Sequence, residues 1–263
     1  KNTQFASAYS PKLSMLYKLD PKHQFRFSIG QGFKAPDFRQ LFLDFTNAAA
    51  GSYSVFGSAQ AQQVIARLDA LGQIGNLFPN YNLLKALKPE YSNGVHFTWD
   101  WKINSSSAMS VQLFRNDIKN LIESQQVGTY ISGAQIFSYL NIGRAFTTGF
   151  EVEGQRKFNA NWSMSGGYQY LRTGDKDQIA AIRSGTVYTK NSQGYSRLMK
   201  LNEYVGLPNT STHKLQVKIN YNSPKGYYLN VRAIYRSRWA VNNNNGNEVF
   251  DNGDVFASGY VAI

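Results

Sequence analysis

The sequence predicts an all-β fold, a transmembrane antiparallel β-barrel of which about nine strands are present. Three observations lead to this prediction. Short segments alternate apolar and polar residues with period two, tight turns alternate with long polar loops, and aromatic residues gather at the strand ends beside the tight turns. A strand between lipid and water needs one apolar and one polar face, and aromatic rings favour the membrane interface.

The clearest pair of strands lies at residues 214–221 and 227–236. In the first segment every second residue is apolar and every intervening residue is polar or charged. The second repeats this alternation after the turn at 223–226, which contains Pro and Gly. Two alternating runs across such a turn predict a β-hairpin. We expect Leu215 and Val217 to face lipid, with Lys214 and Lys218 on the opposite face.

The other strands follow the same pattern, although the alternation is lost near Asn116 and Asp117. Runs of Asp, Asn, Pro and Ser predict tight turns at 20–22, 104–106 and 159–161. The remaining strands are predicted at about 4–19, 23–33, 89–103, 107–124 and 136–158, then from 162 onward, with a partial strand at the C-terminal end.

Three long polar loops are predicted, at about 34–88, 174–208 and 241–254. In the first of them, apolar residues recur at helical spacing between Ser58 and Gly72. A Ser at the start of such a run is a common helix cap, so we expect one short helix within this loop. All three long loops should lie at one end of the barrel, and the tight turns at the other.

The composition is consistent with this fold and excludes several functions. Charged residues make up 17% and the mean hydropathy is −0.41, because polar residues dilute the apolar ones in alternating strands. With no cysteine, disulfides, zinc–thiolate sites and thiol catalysis are excluded. The formal charge of +12 predicts anionic partners. Because the Lys and Arg residues are scattered over the chain, we do not expect a nucleic-acid site.

Both ends of the sequence have the character of strands, Lys1–Phe5 at one end and Gly259–Ile263 at the other. A sheet in lipid cannot leave an edge unpaired. We therefore expect residues 1–263 to be one portion of a single barrel domain that continues beyond this chain.

Motifs that would indicate catalysis are weak. Gly30-x-Gly32-x-x-Ala35 has the spacing of a dinucleotide fingerprint, but Pro36 follows and no helix begins there to receive a phosphate. Glu151 and Glu153 would lie side by side on one wall with no nucleophile beside them. We predict that the chain is not an enzyme and has no cofactor. The two glutamates are expected to pair with Lys or Arg on adjacent strands or on an interior domain.

Metal binding is not predicted either. Glu248, Asp251 and Asp254 could offer oxygen ligands to calcium, but their spacing does not match an EF-hand. The three histidines are far apart in the sequence, and only His96 is expected to face inward. We therefore interpret the segment that contains Glu248, Asp251 and Asp254 as a polar surface loop, and His96 as a polar residue of the barrel wall.

Arginine and aromatic residues in the loops are the candidate ligand-binding residues. Their side chains suit an anionic, partly aromatic small molecule through charge-assisted hydrogen bonds and stacking. The alternative is that these cations bind lipopolysaccharide phosphates or face water. The candidates are Arg39, Tyr53 and Tyr81 in the first long loop, Arg183, Lys190 and Arg197 in the second, and Arg236, Arg238 and Trp239 where the second hairpin strand is expected to continue beyond the membrane.

Three stretches, in order, resemble the barrel of TonB-dependent outer-membrane transporters. Residues 32–36 read Gly-Phe-Lys-Ala-Pro and are followed by Leu-Phe at 41–42, similar to a strand end in that family. Residues 87–90 read Leu-Lys-Pro-Glu, similar to a strand start. Residues 141–145 and 149–153 resemble its Asn-x-x-x-Ala and Gly-x-Glu strand.

The resemblance implies a barrel of about 22 strands in the bacterial outer membrane, filled by a plug domain that we expect to lie outside this chain. It implies energy-coupled import of a scarce nutrient chelate of the ferric siderophore, haem or cobalamin class. The implied partners are a TonB-type energising complex acting through the plug, outer-membrane lipid and lipopolysaccharide, and in some cases a surface lipoprotein. The tight turns would be periplasmic and the long loops extracellular. A passive porin and a surface β-rich adhesin are the alternative functions.

Overall fold

Nine antiparallel strands form one continuous curved wall in the computed structural model of the protein, which describes residues 8–47, 52–243 and 249–263. In chain order, the strands are β1 (Lys12–Lys18), β2 (His23–Lys34), β3 (Asp44–Asn47), β4 (Tyr53–Phe56), β5 (Ile74–Leu77), β6 (Glu90–Asn104), β7 (Ser107–Tyr130), β8 (Gln135–Lys157), β9 (Trp162–Asp175), β10 (Tyr188–Lys190), β11 (Ser196–Leu198), β12 (His213–Asn222), β13 (Tyr228–Arg236), β14 (Trp239–Asn242), β15 (Val255–Ala257) and β16 (Tyr260–Ala262). The helices are α1 (Phe38–Phe42), α2 (Ser58–Ala70) and α3 (Lys176–Arg183), and Pro79–Leu83 and Leu201–Glu203 form 3₁₀ turns.

The wall runs β1-β2-β6-β7-β8-β9-β12-β13-β16. This confirms the predicted all-β wall of about nine antiparallel strands. Within the described ranges, β1 and β16 do not pair with each other, so the wall is an open sector and not a closed barrel. The first strand begins at Lys12, later than the predicted start near residue 4, and residues 4–7 of that prediction lie outside the described residues.

The register gives the wall one apolar and one polar face, as the alternation predicts. One row of directly paired residues runs through Met15, Phe27, Phe97, Leu113 and Phe150. The neighbouring row on the other face contains Arg26, Thr98, Gln112, Glu151 and Gln169. Leu13 and Met15 are more than half exposed. Apolar side chains that are exposed in such continuous rows indicate a lipid-facing surface.

Aromatic rings cluster where the strands meet the tight turns. Trp99 and Trp101 stack with centroids 5.7 Å apart, and the Trp99 indole N–H donates to Nδ1 of His23 at 3.1 Å. Trp162 lies 4.6 Å from Tyr221 on the neighbouring strand. Rings with one apolar and one polar side are typical of the membrane interface.

Side-chain acceptors close the tight turns. Oδ1 of Asp20 accepts backbone N–H bonds from Lys22 and His23, each at 2.7 Å, and the bond from Lys22 contributes most to lowering the Asp20 pKa. Asn159 closes the turn before β9 in the same way, with its Oδ1 accepting from the backbone of Asn161 and Trp162. Asp and Asn are common in turns for this reason.

The strands β7 and β8 continue far beyond the length needed to cross a bilayer. They contain 24 and 23 residues, whereas about 9–11 residues span the membrane. The predicted end of β7 near residue 124 is therefore short by six residues, and the loop that joins it to β8 is only 131–134. Beyond Asn116 neither face of β7 needs to be apolar throughout. The alternation of apolar and polar residues that predicts a strand is therefore lost there.

The first long loop is more ordered than predicted. It contains the predicted helix, α2, but also α1, β3, β4 and β5. The helix begins at Ser58, and its N-cap is Gly57 without a side-chain hydrogen bond, so the predicted Ser cap is wrong. Strand β4 pairs in parallel with β8, and β5 pairs with β7, which fastens the loop to the long hairpin.

Buried apolar clusters lie in the loops and in the upper part of β7 and β8. The largest one joins α2 to the hairpin through Phe56, Ala61, Ile65, Val127 and Ile136. A smaller one forms around Ile182, Met199 and Val249, and connects the second long loop to the third. In the lower wall the apolar side chains lie on the outer face, so the buried apolar clusters of the described residues are found above that part of the wall.

No helix within the described ranges is long and apolar enough to cross a membrane.

Candidate functional site

The inner face of the wall carries an excess of positive charge. By register, ten cations and five carboxylates of the wall strands lie on the polar face. The cations are Lys12, Lys18, Arg26, Lys34, Lys102, Lys157, Lys214, Lys218, Arg232 and Arg236, and the carboxylates are Glu90, Asp100, Glu151, Glu153 and Asp175. We call this surface the inner face.

Two pairs of like charges lie directly opposite each other across β12 and β13. Lys214 is the ladder partner of Arg236, and Lys218 is the ladder partner of Arg232. Like charges in these positions destabilise a sheet by a few tenths of a kcal/mol, up to about 1 kcal/mol. Neither lysine forms an ion pair with the described residues. This part of the inner face is therefore suited to an anionic partner.

The inner carboxylates are only partly neutralised by the wall. Asp100 forms an ion pair with Arg26 at 2.8 Å and accepts a hydrogen bond from the Ser110 hydroxyl at 2.9 Å. Glu151 accepts a hydrogen bond from the Gln169 amide, and Glu153 lies between Ser110 and a glycine. The expected pairing of these two glutamates with Lys or Arg on adjacent strands is thus not present among the described residues.

The lower part of the inner face encloses a concavity of about 1320 Å³. Arg26, Glu153, Lys218 and Arg232 are among its lining residues. Small-molecule pockets usually measure about 300–1,000 Å³. The size and openness of this concavity fit the lumen of a barrel better than a closed ligand pocket.

At the upper end of β13 the structure brings three predicted ligand residues together. The guanidinium of Arg236 lies 3.9 Å from the centre of the Trp239 ring, and that of Arg238 lies 3.8 Å from the Phe256 ring. Arg236 also donates to the Ser211 hydroxyl at 2.9 Å. Arg238 is exposed, so its charge remains available, whereas Arg236 is largely committed to holding the loop.

A cavity of about 370 Å³ lies beside this cluster. Its lining includes Arg238, Trp239 and Phe256, together with Tyr170 and Leu171 of β9. Because Tyr170 and Leu171 belong to opposite faces of β9, the cavity lies at a gap in the wall above the end of β12. It could accept an aromatic or anionic group through stacking and charge.

The three candidates of the second long loop are not brought together. Arg197 forms an ion pair with Glu203, with Nη1 donating at 2.9 Å. The hydrogen bond from Arg197 lowers the pKa of Glu203 to about 2. Lys190 is exposed, and its backbone N–H donates to Asp251 at 2.8 Å; Arg183 is exposed on α3.

The candidates of the first long loop have different surroundings. Tyr53 packs edge-on against Phe137 with centroids 6.1 Å apart, and Tyr81 packs against the apolar cluster beneath α2. Both rings therefore support the fold of the loop. Arg39 is exposed on α1. The ligand-binding role of all nine candidates remains a prediction.

Sequence reasoning missed a buried carboxylate, Glu123, on the part of β7 that extends above the membrane. Burial raises the Glu123 pKa to about 7, with further contributions from the charges of Asp175 and Glu90. Its Oε2 has no hydrogen-bond partner within the described ranges. The nearby Tyr204 hydroxyl accepts the backbone N–H of Asp175 at 2.8 Å, and burial raises the Tyr204 pKa to about 12. No sequence motif marks this arrangement.

Metal-binding clusters are absent from the part of the chain that the structure describes: no group of three or more His, Cys, Asp or Glu residues could hold an ion. In the third long loop, the backbone N–H of Asp251 donates to Oδ2 of Asp254 at 2.8 Å. Glu248, the third potential calcium ligand, lies outside the described residues.

An antiparallel wall with one lipid-facing side, a charged inner side and long loops at one end defines the outer-membrane β-barrel class. The chain belongs to the TonB-dependent receptor family, because the family model described as "TonB dependent receptor-like, beta-barrel" matches residues 1–262. No curated protein sequence matches the chain. Family membership confirms the resemblance seen in the sequence. It also agrees with the prediction that the chain is not an enzyme.

Solved structures share the fold at low sequence identity. A mutant form of the ferric enterobactin receptor PfeA of Pseudomonas aeruginosa is 17% identical with a TM-score of 0.54, over 96% of this chain and 31% of that chain. The siderophore receptor PirA from Acinetobacter baumannii is 15% identical with a TM-score of 0.57, over 98% and 34%. The copper transporter OprC is 11% identical with a TM-score of 0.58, over 96% and 30%. The chain thus spans about a third of the length of each.

Proposed function

We propose that this chain forms part of a receptor for active import of a nutrient chelate across the bacterial outer membrane. The observation that carries the proposal is the match of the TonB-dependent receptor model to residues 1–262. The ligand would be of the ferric siderophore, haem or cobalamin class. A TonB-type complex would supply the energy through a plug domain inside the barrel.

The charge of the inner face supports an anionic cargo or an anionic plug surface. Ten cations oppose five carboxylates there, and the facing pairs Lys214–Arg236 and Lys218–Arg232 would gain from a negative partner. Among the three substrate classes this favours an anionic iron chelate. Two of the solved relatives are named as siderophore receptors and one as a copper transporter.

The extracellular loops would make the first contact with the ligand. Arg238 is exposed beside the ring of Phe256 and the 370 Å³ cavity, and Arg39 and Arg183 are exposed on helices of the other two loops. Arginine recognises carboxylate and catecholate-like oxygens through paired donors. Lipid and lipopolysaccharide would surround the wall, and a surface lipoprotein would be a further partner at these loops.

Uptake by cells that express the full-length protein tests the proposal. Radiolabelled ferric siderophores, haem and cobalamin are supplied separately to a host that lacks its own receptors for them. We expect one class to accumulate, and accumulation should stop when the energising complex is deleted. Uptake that persists without the complex would identify a passive porin instead, and surface adhesion without any uptake would identify an adhesin.

A double variant, Lys218→Gln with Arg232→Gln, tests the role of the inner face. Because it removes a like-charge pair, the wall should be as stable as before or slightly more stable. Uptake should nevertheless fall several-fold. Lys225→Gln is the control, since Lys225 is an exposed cation in the turn between β12 and β13 and does not line the concavity. Equal uptake by both variants and the parent protein would contradict an inner-face role.

Absorbance spectra and mass spectra of the purified full-length protein would identify a retained ligand directly. Haem, cobalamin and ferric chelates are all coloured, and each has a distinct mass.

A further inference from the structure

Four cations lie on the outward side of the upper wall, immediately above the apolar belt. Arg115 and Lys119 belong to β7, Arg172 to β9, and Lys176 begins α3. We call these four residues the outer patch. Arg115, Lys119 and Arg172 are exposed, and Lys176 is partly exposed.

The register places the outer patch at the level of the lipid headgroups. Leu113, Phe150 and Tyr170 form the last fully apolar row of β7, β8 and β9. The next outward row pairs Arg115 with Thr148 and Thr148 with Arg172. About ten residues separate the interfacial Trp162 from Arg172, which is the length that a tilted strand needs to cross the hydrocarbon.

The positive charge in this row is local. The same outward row continues from Arg115 to Val95, Ile29 and Leu13 on the neighbouring strands, all of which are apolar. A general tendency of barrels to carry cations at the interface would distribute them around the wall. Here two arginines flank the small side chain of Thr148, with their strands about 10 Å apart.

The patch contains more cations than its own carboxylate can neutralise. Asp117 accepts two hydrogen bonds from Arg115, both at 3.0 Å, and an ion pair from Lys176 at 2.6 Å. Lys119 and Arg172 form no ion pair with any part of the described chain. Four cations with one carboxylate leave a net charge of about +3.

A further like-charge contact adjoins the patch. Lys119 is the direct ladder partner of Arg144, which is itself neutralised by an ion pair with Asp177. The charge of Lys119 therefore faces a cation in the sheet and has no anion of its own. An external anion at this position would remove the repulsion.

We propose that the outer patch binds the phosphate groups of lipopolysaccharide in the outer leaflet. Arginine and lysine at headgroup height would hold the phosphates by charge-assisted bonds, while the acyl chains lie along Leu113, Phe150 and Tyr170. The inference rests on the outer-membrane location contained in the proposed function, but not on the identity of the imported ligand.

Native mass spectrometry of the full-length protein in detergent, with purified diphosphoryl lipid A as the probe, tests the inference. The double variant Arg115→Gln with Arg172→Gln should bind lipid A at least about tenfold more weakly. Arg156→Gln should bind like the parent protein, because Arg156 is an outward arginine at the opposite membrane interface. Lipid A without its phosphates should bind the parent protein as weakly as lipid A binds the double variant.

Three outcomes would overturn the inference: unchanged binding by the double variant, equal loss with Arg156→Gln, or displacement of lipid A by inorganic phosphate at similar concentration. Heat-modifiable migration on a gel shows whether each variant is folded. If the double variant fails to fold, Lys119→Gln replaces it, since its side chain has no ion pair to lose within the described chain. The readout is lipid retention, so its failure leaves the import proposal intact, and failure of uptake leaves lipid binding intact.

Discussion

At the scale of single residues, Glu123 is the group whose environment departs most from water. Its folded-state pKa of about 7 lies above the ordinary 4.5, so folding favours the protonated form. The contribution of Glu123 to stability is therefore greatest below pH 4.5, declines as the pH rises toward 7, and stays low above it. Over this pH range the contribution of Glu123 to the free energy of unfolding falls by about 3 kcal/mol.

Glu123→Gln should remove this dependence on pH. The amide is neutral at every pH, so the variant should melt at a higher temperature than the parent protein at pH 8 and at a similar temperature at pH 5. Thermal unfolding of the full-length protein in detergent measures both. Glu153→Gln, at an exposed inner carboxylate, is the control and should leave the difference between the two pH values unchanged. A Glu123→Gln profile parallel to that of the parent would contradict the raised pKa.

Gly149 is required by close packing and not by backbone conformation. A Cβ at this position would lie 2.0 Å from the carbonyl oxygen of Tyr170 and 3.1 Å from the Phe114 ring. Gly149→Ala should therefore destabilise the wall by about 1–3 kcal/mol. Gly154→Ala is the matched control, because the nearest atom to its Cβ would be 3.9 Å away. The melting temperatures of the two variants decide the matter, and equal values would refute the packing argument.

At the scale of elements, α2 is held by its apolar stripe. Ala61 and Ile65 are fully buried against the β7–β8 hairpin, whereas Gln63 is exposed. Truncating Ile65→Ala should cost about 2–5 kcal/mol in the packing of this helix. Because the lower wall is paired independently of α2, we expect the loop to loosen while the wall stays intact.

Hydrogen exchange of the full-length protein would separate these two effects. Amides of α2, β4 and β5 should lose protection in the Ile65→Ala variant, and amides of β9 and β12 should keep theirs. Gln63→Ala should leave both sets unchanged. Loss of protection throughout the wall would show that the loop and the barrel fold as one unit.

The elements also show what the sequence can and cannot predict. Strands that face lipid can be recognised in the sequence. Contact with hydrocarbon on one side imposes an alternation of apolar and polar residues, as in residues 214–221. Above the membrane that constraint ends, so the last residues of β7 and the short strands β3 to β5 could not be read from the pattern. Strands β4 and β5 form because they pair with β8 and β7, which are distant in sequence, and β3 pairs with β4.

The same distinction applies to the candidate site. The proximity of Arg236, Arg238 and Trp239 follows from their adjacency in the chain and could be predicted. The raised pKa of Glu123 could not, because it depends first on burial and then on the charges of Asp175 and Glu90 from two other strands. Nor could Tyr53 and Tyr81 be distinguished from ligand-binding aromatics before their packing partners were known.

At the scale of the whole molecule, the wall separates charge by face. Leu113, Phe150 and Tyr170 form a continuous apolar row on the outer face, and the inner face carries ten cations and five carboxylates. Apolar and charged side chains thus lie on opposite faces of a single sheet. The alternation of the strands is sufficient to produce this separation, and the register keeps it coherent over nine strands.

We expect the cationic inner face to make this sector of the wall selective among ions. Fixed positive charge beside a water-filled path concentrates chloride and repels potassium, so any open state should conduct anions preferentially. The reversal potential of the full-length protein in a planar bilayer across a KCl gradient would measure this preference. It should shift toward zero in the Lys218→Gln, Arg232→Gln variant, and a cation-selective parent would show that other parts of the lumen dominate its field.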